Sequence, residues 1–172
     1  MIPRRRVEIG AVDIADLLRG LGDAPAVALA RVREFESAAS ATLDGLPVCA
    51  TASGRDALDL ILEGLGIVAG DELVVPAYTL GELVLRLQAR GLRPVAADID
   101  VDSFAVTPQS VTRVITPRTR AIVALHTFGA PCDVGGIAAV AAAHGLPLIE
   151  DCAHAFGARI EGRPAGSFGT AA

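Results

Sequence analysis

The chain contains no lysine, because all fifteen of its Lys and Arg positions are arginines. Chemistry that needs a lysine amine is therefore excluded from these 172 residues. Paired cysteines are also missing: Cys49, Cys132 and Cys152 are odd in number and have no paired spacing. This usage indicates reduced thiols in a cytosolic protein and excludes a disulfide-stapled fold.

Long apolar runs are absent too, although 52% of the residues are hydrophobic and the mean hydropathy is +0.49. No run reaches the roughly 18 residues that a membrane-spanning helix needs. Acidic residues interrupt the N-terminal region too early for a signal peptide. We therefore expect a cytoplasmic protein whose hydrophobic residues form a buried core, with no membrane partner.

An excess of positive charge is missing as well. The formal net charge is −5, and acids and arginines are interspersed along the chain. This pattern gives no basic surface for nucleic acid, and we interpret the arginines at positions 4–6 as a solvated terminus. The length suits one domain with a sizeable core.

What is present after residue 47 is an alternation of short apolar runs and helical patterns. Strands are predicted at 48–50, 73–75, 94–99, 121–125 and 146–149. Helices are predicted at 55–65, 80–90, 108–114 and 136–143. The alternation predicts an α/β domain over 48–172: a mostly parallel sheet with right-handed crossovers and helices on both faces. Residues 1–47 are predicted to form an N-terminal helical segment, and 157–164 a strand entering a tight turn.

Residues 53–58 join the first predicted strand to the helix after it. Ser53 is a natural N-cap, and Asp56 completes a capping-box pattern. A helix N-terminus attracts anions, and Gly54 would let one approach the backbone closely, with Arg55 as a further donor. The segment predicts a phosphate cradle, but an ordinary capped helix explains the same residues.

Residues 149–155 place two carboxylates and a histidine at the end of an apolar strand, where parallel sheets bind ligands. A carboxylate such as Asp151 can keep a heteroaromatic nitrogen protonated, and His154 can bond a neighbouring oxygen. A metal site at Asp151, Cys152 and His154 lacks a second ligand cluster. A Cys152 nucleophile paired with His126 or His154 is equally unsupported, and acids that cap the next turn remain a simple alternative.

Two further loops are expected at the same edge. Residues 76–80 include Tyr78, the only tyrosine, for which packing is the simplest role. Residues 125–133 bring His126, Phe128 and Cys132 to the end of the next strand. A lone histidine in this position is more often structural than catalytic.

Together and in this order, these segments resemble the DegT/StrS family of PLP-dependent sugar aminotransferases. The resemblance covers roughly residues 30–169. It rests on segments 35–36, 53–58, 70–72, 75–79, 98–100, 115–122, 150–155 and 162–169.

The resemblance implies an incomplete fold-type-I PLP aminotransferase large domain. It implies that residues 53–55 bind the cofactor phosphate, that Asp151 pairs with the pyridine nitrogen and that His154 lies near the ring hydroxyl. The implied cofactor-binding positions are Ser53, Gly54, Arg55, Leu80, Asp151 and His154.

Three positions depart from the family pattern. Arg55 stands where threonine is common, which exchanges a hydroxyl contact for a cationic one. Leu80 stands where an aromatic side chain usually stacks on the cofactor. Thr170 stands where the family usually has aspartate.

The implied reaction transfers an amino group, often from glutamate, to a keto-sugar nucleotide or similar keto substrate. In such enzymes a lysine holds the cofactor and shuttles the proton. We expect this chain to be the N-terminal portion of such an enzyme, inactive alone, with the lysine segment expected after Gly169 and the small C-terminal domain absent. Its expected partner is a second copy or a complementary C-terminal chain. The alternative is a noncatalytic protein that binds a phosphate-bearing ligand or a sister protein.

Overall fold

The structure is a computed structural model that describes residues 10–172. Two helices lead into the domain, α1 at Ala11–Gly20 and α2 at Pro25–Thr42. Helix α1 buries no residue and α2 buries only Ala39, so both lie at the periphery. Of the predicted helical segment 1–47, residues 1–9, with their arginine cluster, lie outside the described part. No helix within 10–172 combines the length and the apolar character needed to cross a membrane.

The centre of the domain is a parallel four-stranded sheet. Its strands are β1 at Glu72–Pro76, β2 at Arg93–Ala97, β3 at Thr119–Leu125 and β4 at Leu148–Asp151, in the spatial order β2-β1-β3-β4. Helix α3, Gly54–Gly64, precedes the sheet, and α4 at Gly81–Ala89, α5 at Pro108–Val114 and α6 at Val134–Ala143 connect its strands. The predicted parallel α/β architecture is confirmed.

Alternate residues of each strand face opposite sides of the sheet, and each side has its own core. Leu73 and Val75 of β1 pack with Leu58 and Leu62 of α3 and with Leu87 of α4. Val74, which lies between them on β1, faces the other side of the sheet. There it packs in a second core with Ile122 of β3, Val111 of α5, and Val134 and Ile137 of α6. Helices therefore cover both faces, as a parallel sheet requires.

The strand predicted at 48–50 is wrong, because these residues form no regular structure. A strand exists only where a neighbouring strand accepts and donates its backbone hydrogen bonds. Within residues 10–172, the backbone N–H of Ala50 instead donates to the Glu36 carboxylate of α2, at 2.8 Å. The apolar, β-branched character of the segment therefore does not suffice to make it a strand.

Helices α3 and α4 are joined by a ladder of ion pairs. Arg55 bonds Glu82 at 2.9 Å, Asp59 bonds Arg86, and Glu63 bonds Arg90 at 3.2 Å. Because the rungs recur every four residues in the same direction on both helices, the two helices run side by side and parallel. The ladder sets the N-terminus of α3 beside that of α4.

At the amino end of the sheet, the buried carboxylate of Glu72 holds the turn before β3. It accepts hydrogen bonds from the Thr116 hydroxyl at 2.5 Å and from Arg118 Nε at 2.6 Å. The Thr116 hydrogen bond and the Arg118 guanidinium keep the pKa of Glu72 below its ordinary value, although burial opposes this. Two of the segments that carry the family resemblance thus meet in a structural contact.

A short hairpin follows the sheet, with β5 at Arg159–Ile160 and β6 at Arg163–Pro164. Its two-residue turn has positive φ at Glu161 (50°) and at Gly162 (82°), which matches the tight turn expected there. The two terminal guanidinium nitrogens of Arg159, Nη1 and Nη2, donate to the Asp44 carboxylate at 3.0 and 2.5 Å. This pair ties the hairpin to the loop after α2.

Candidate functional site

Loops after all four parallel strands meet at the carboxyl edge of the sheet and bring an aromatic cluster together. The ring of Tyr78, after β1, lies 5.5 Å from that of Phe104 and 6.1 Å from that of Phe128, which follows β3. Phe128 in turn stacks on His154, after β4, with ring centroids 6.2 Å apart and planes 6° apart. These four side chains are exposed, so they form a ring-lined surface where parallel sheets bind ligands.

Phe128 adopts an unusual backbone conformation within this cluster. Its φ is 54° and its ψ 23°, which places a bulky aromatic residue in the left-handed region. Bulky residues rarely adopt this conformation, and such strain concentrates at binding sites. Buried Thr127 anchors the turn on one side, and its hydroxyl donates to the Phe104 carbonyl at 3.4 Å. The fold therefore holds the exposed Phe128 ring in place at a conformational cost.

Asp151 is the last residue of β4, and its side chain is half-buried at the same edge. Its Oδ1 accepts the Ala153 amide at 3.0 Å, which closes the turn that leads to His154. Its backbone carbonyl accepts the His126 amide at 3.1 Å, so the ends of β3 and β4 are joined. A partly solvated carboxylate fixed at a strand end suits a cationic or N–H-bearing ligand.

Beneath this edge, Glu150 is completely surrounded by hydrogen-bond donors. Its Oε1 accepts the backbone amides of Phe168 (2.7 Å) and Gly169 (2.5 Å). Its Oε2 accepts the amide of Gly166 (2.9 Å) and faces Nε2 of His126 (3.2 Å). Both side chains are fully buried. The carboxylate thus joins the end of β4 to the loop 166–169.

The hydrogen bonds also fix the tautomer of His126. The Cys132 backbone amide donates to its Nδ1 at 3.3 Å, so this nitrogen is an acceptor. The proton of the neutral ring therefore lies on Nε2, which donates to Glu150. Burial opposes the charge on Glu150, but His126 and the three amides outweigh it and hold the pKa of Glu150 below its ordinary value.

Two thiols flank this pair, the buried Cys132 and the partly buried Cys152. Burial, reinforced by the charge of Glu150, raises the pKa of both Cys132 and Cys152 to about 12. A thiol with such a pKa is protonated at neutral pH, which argues against the Cys152 nucleophile considered from the sequence.

The metal alternative takes a different form in the structure. Ligand atoms of His126, Glu150 and Cys152 lie within 4.8 Å of one another, whereas the sequence pointed to Asp151, Cys152 and His154. Both oxygens of Glu150 are already occupied by two donors each. A metal ion would have to displace those donors and deprotonate a thiol, so the group is better described as a hydrogen-bonded cluster.

The N-terminus of α3 carries the residues predicted to hold a phosphate. Ser53 is its N-cap: its hydroxyl accepts the Asp56 amide at 3.2 Å and donates to the Asp56 carboxylate at 2.9 Å. A methyl group added at Gly54 would meet no atom within 4 Å, so the backbone is open to a ligand there. The Arg55 guanidinium pairs with Glu82, and Leu80 is the 60% exposed N-cap of α4.

These features fit a planar ring that carries a phosphate group, as pyridoxal phosphate does. The open helix N-terminus at Gly54 suits the phosphate, and the Asp151 carboxylate suits a ring nitrogen. The ion-pair ladder sets the start of α3 beside the start of α4, and only four residues (77–80) separate the end of β1, at the carboxyl edge, from the start of α4. Both features therefore belong to this edge of the domain.

Sequence reasoning singled out the motif around Asp151 but did not assign the buried role of Glu150. A carboxylate that follows an apolar strand is usually at the surface, so only the loop 166–169 reveals its partners. The strained turn at Phe128 was also missed, although Gly129 directly after it is a signal of left-handed backbone.

Comparisons with known proteins find relatives by sequence and by fold. A curated relative, UDP-N-acetyl-3-dehydro-alpha-D-glucosamine 3-aminotransferase of Acidithiobacillus ferrooxidans, is 47% identical over 118 residues, which are 69% of this chain and 32% of that protein. The chain thus spans about a third of that relative's length.

Solved structures share the fold. The aminotransferase from Psychrobacter cryohalolentis matches 96% of this chain and 42% of its own, with a TM-score of 0.84 and 33% identity. NtdA from Bacillus subtilis, solved with bound cofactor PMP, matches 92% of this chain and 37% of its own, with a TM-score of 0.79 and 29% identity.

The model of one protein family matches residues 26–172, which include all of α2 to α6 and the whole sheet. The chain therefore belongs to the DegT/DnrJ/EryC1/StrS aminotransferase family.

Proposed function

We propose that this chain forms the N-terminal part of the cofactor-binding domain of a PLP-dependent aminotransferase that aminates a keto-sugar nucleotide. The observation that carries the proposal is the carboxyl edge itself, where the fixed Asp151 closes the turn that leads to the His154 ring, stacked on Phe128. Family membership supports amino transfer to a keto-sugar. The nucleotide-linked substrate is proposed by analogy with the Acidithiobacillus ferrooxidans relative, whose name specifies a UDP-linked keto-sugar.

Each residue has a defined part in this proposal. The PLP ring supplies an electron sink for charge that develops beside the transferred nitrogen. The Asp151 carboxylate accepts a hydrogen bond from the ring nitrogen and keeps it protonated. The Ser53 hydroxyl and the free amides from Gly54 onward bind the phosphate, while His154 approaches the ring oxygen. Phe128 and Tyr78 shield the ring from water.

Arg55 has two possible partners in this scheme. In the structure its guanidinium bonds Glu82 and is not free for a phosphate. Because the pair is exposed, it contributes little stability and a bound dianion can compete for the arginine. We assign Arg55 to the phosphate as a second donor, recruited from the ladder when the ligand binds.

The covalent part of the reaction needs a residue that these 172 positions do not contain. A lysine would hold the cofactor and move the proton at the reacting carbon, and the sequence has none. We therefore propose that the lysine comes from residues outside these 172. We further propose a homodimer or a complementary chain as the partner, with glutamate as the amino donor.

The cofactor part is tested by equilibrium dialysis of the chain against pyridoxamine 5′-phosphate (PMP). We expect saturable binding that falls about tenfold or more in Asp151→Asn, because the partner of the protonated ring nitrogen is lost. Asp102→Asn is the control, since Asp102 is an exposed acid in the loop after β2. Equal binding by wild type and Asp151→Asn would refute the assigned role of Asp151.

The reaction is tested with the protein purified from the organism that produces it. The protein is incubated with PLP, glutamate and UDP-N-acetyl-3-dehydro-alpha-D-glucosamine, and the amino sugar is detected by mass spectrometry. Amino-sugar formation supports the proposal. PMP binding without amination of this ketone or of a panel of keto-sugar nucleotides would instead favour the noncatalytic ligand-binding protein. Light scattering on the same sample checks the proposed dimer.

A further inference from the structure

The fully buried pair His126–Glu150 lies at the junction of three chain segments. The His126 amide bonds the Asp151 carbonyl, and its Nε2 bonds the Glu150 carboxylate, so this residue joins the ends of β3 and β4 twice. Glu150 in turn holds the loop 166–169 through three backbone amides. A buried carboxylate with four good donors organises the backbone around it.

The loop that Glu150 holds continues directly along β4. The Thr170 amide donates to the Leu148 carbonyl at 2.7 Å, and the Glu150 amide donates to the Ala171 carbonyl at 2.9 Å. Ile149 and Ala171 thereby pair in parallel. The side chain and the backbone of Glu150 together set the path of the chain on the far side of β4 from β3.

The local sequence leaves this loop few alternatives. A Cβ atom at Gly169 would lie 2.6 Å from the Leu148 carbonyl oxygen, which is too close for any real contact. Gly166 has a φ of +92°, a conformation that other residues rarely adopt. These two glycines let the loop bring its amides close to Glu150, so the loop geometry and the buried carboxylate depend on each other.

We propose that Glu150 and His126 are positioning residues of the ligand site, which fix Asp151 and the segment 166–171 relative to each other. The proposal rests on the function proposed above, because Asp151 is the residue that meets the ligand. Neither Glu150 nor His126 touches the ligand, since both are buried beneath the edge. They act by holding the Asp151 carboxylate and the neighbouring chain in one orientation.

His126 offers a matched pair of variants. His126→Gln keeps an N–H that can donate to Glu150, whereas His126→Leu has a similar size and no donor. We expect His126→Leu to bind PMP about 10- to 100-fold more weakly than wild type, the loss of affinity typical when an outer hydrogen-bond partner that orients a binding residue is removed. His126→Gln should recover most of this loss.

Glu150→Gln supplies the second test, with Glu34→Gln as control because Glu34 is exposed on α2. A glutamine at 150 presents an NH₂ group where the loop amides need an acceptor. Compared with wild type, we expect Glu150→Gln to speed hydrogen exchange at the amides of Gly166, Phe168 and Gly169. Exchange at the core amides of β1 should change much less. Affinity is compared under conditions where every variant is fully folded, so a purely structural role would leave the PMP dissociation constant unchanged.

The outcomes separate this proposal from the function on which it rests. Selective loop exchange in Glu150→Gln together with weaker PMP binding in His126→Leu supports it. Unchanged PMP affinity in folded His126→Leu and Glu150→Gln overturns it, even if stability falls. If the wild-type chain binds no PMP, the cofactor role falls with the proposed function, while the exchange data still decide whether Glu150 holds the loop.

Discussion

Replacing Gly169 with alanine tests whether the loop 166–169 is as tightly constrained as the structure indicates. The new methyl carbon would lie 2.6 Å from the Leu148 carbonyl oxygen, 3.1 Å from the Ala171 carbonyl oxygen and 3.3 Å from Cγ of Glu150. The first two contacts are with backbone atoms of β4 and its neighbour, which cannot rotate away. The loop must therefore shift, and the 2.5 Å bond from the Gly169 amide to Glu150 lengthens or breaks.

The magnitude follows from these two losses. Forcing an extra methyl group into a packed site costs about 1–3 kcal/mol. Losing a hydrogen bond to a buried charged group costs about 1.5–3 kcal/mol. Because the shift that relieves the clash also breaks the bond, the two losses overlap, and we expect Gly169→Ala to lower the free energy of unfolding by about 2–5 kcal/mol.

Gly64→Ala is the control, because it makes the same chemical change at the end of α3, where a Cβ atom meets nothing within 4 Å. Alanine favours a helix more than glycine, so this variant should be as stable as wild type or up to about 1 kcal/mol more stable. Urea unfolding followed by far-ultraviolet circular dichroism measures both. A Gly169→Ala protein within about 0.5 kcal/mol of wild type would refute the packing described here.

Three further predictions concern buried polar groups. Because the folded pKa of Glu150 is lowered, its contribution to stability is complete above its ordinary value of 4.5 and is lost as pH falls through the folded value. The stability difference between wild type and Glu150→Gln, measured by urea unfolding at a series of pH values, should therefore shrink below about pH 4.5; a constant difference would contradict it. Only Cys49 is exposed among the cysteines, and a pKa of about 12 leaves roughly one in ten thousand molecules of Cys132 or Cys152 as thiolate at pH 8. One fast thiol per chain should react with a chromogenic disulfide, and Cys49→Ser should remove it; a second fast thiol would contradict the raised pKa of Cys132 or Cys152. Finally, the buried Ser167 hydroxyl has no hydrogen-bond partner within residues 10–172. Ser167→Ala should keep or raise the melting temperature, since an unsatisfied buried hydroxyl costs about 1–3 kcal/mol, and a clear fall in melting temperature would reveal a partner.

The parallel sheet was predictable because its signal is local. Each strand is a short apolar run, and each helix shows apolar residues at helical spacing. Gly66, Gly91 and Gly145 end three of the helices, with φ values of 67°, 75° and 64°. The segment 48–50 shows where local signals stop. Its composition is that of a strand, but a strand also needs a neighbouring strand to pair with. The residues of the segment do not determine whether such a neighbour is present.

The candidate site was predictable in its residue types and not in its contacts. Asp151 and His154 follow a strand, so their place at the carboxyl edge follows from parallel topology. That Arg55 would pair with Glu82, or that Glu150 would accept the amides of 166–169, depends on side chains that meet across 16 to 27 residues of chain. Spacing within a motif carries no information about such contacts.

The structure also separates two kinds of residue that the family resemblance treats alike. Glu72 and Thr116 lie at the amino end of the parallel strands, where the buried carboxylate holds a turn. Asp151 and His154 lie at the carboxyl end, where the ring cluster is exposed. Ligands bind beyond the carboxyl ends of parallel strands, so similarity at the amino end reflects folding and similarity at the carboxyl end reflects chemistry.

Glu150 belongs to neither group alone. It is buried like Glu72 and organises backbone in the same way, yet it is the direct chain neighbour of Asp151. A loop that shifts at 166–169 moves the strand end that carries Asp151, whereas a loop that shifts at 116–118 moves the opposite end of the sheet. Substitution of Glu72 should therefore lower stability and spare ligand affinity in the folded protein, while substitution of Glu150 should lower both.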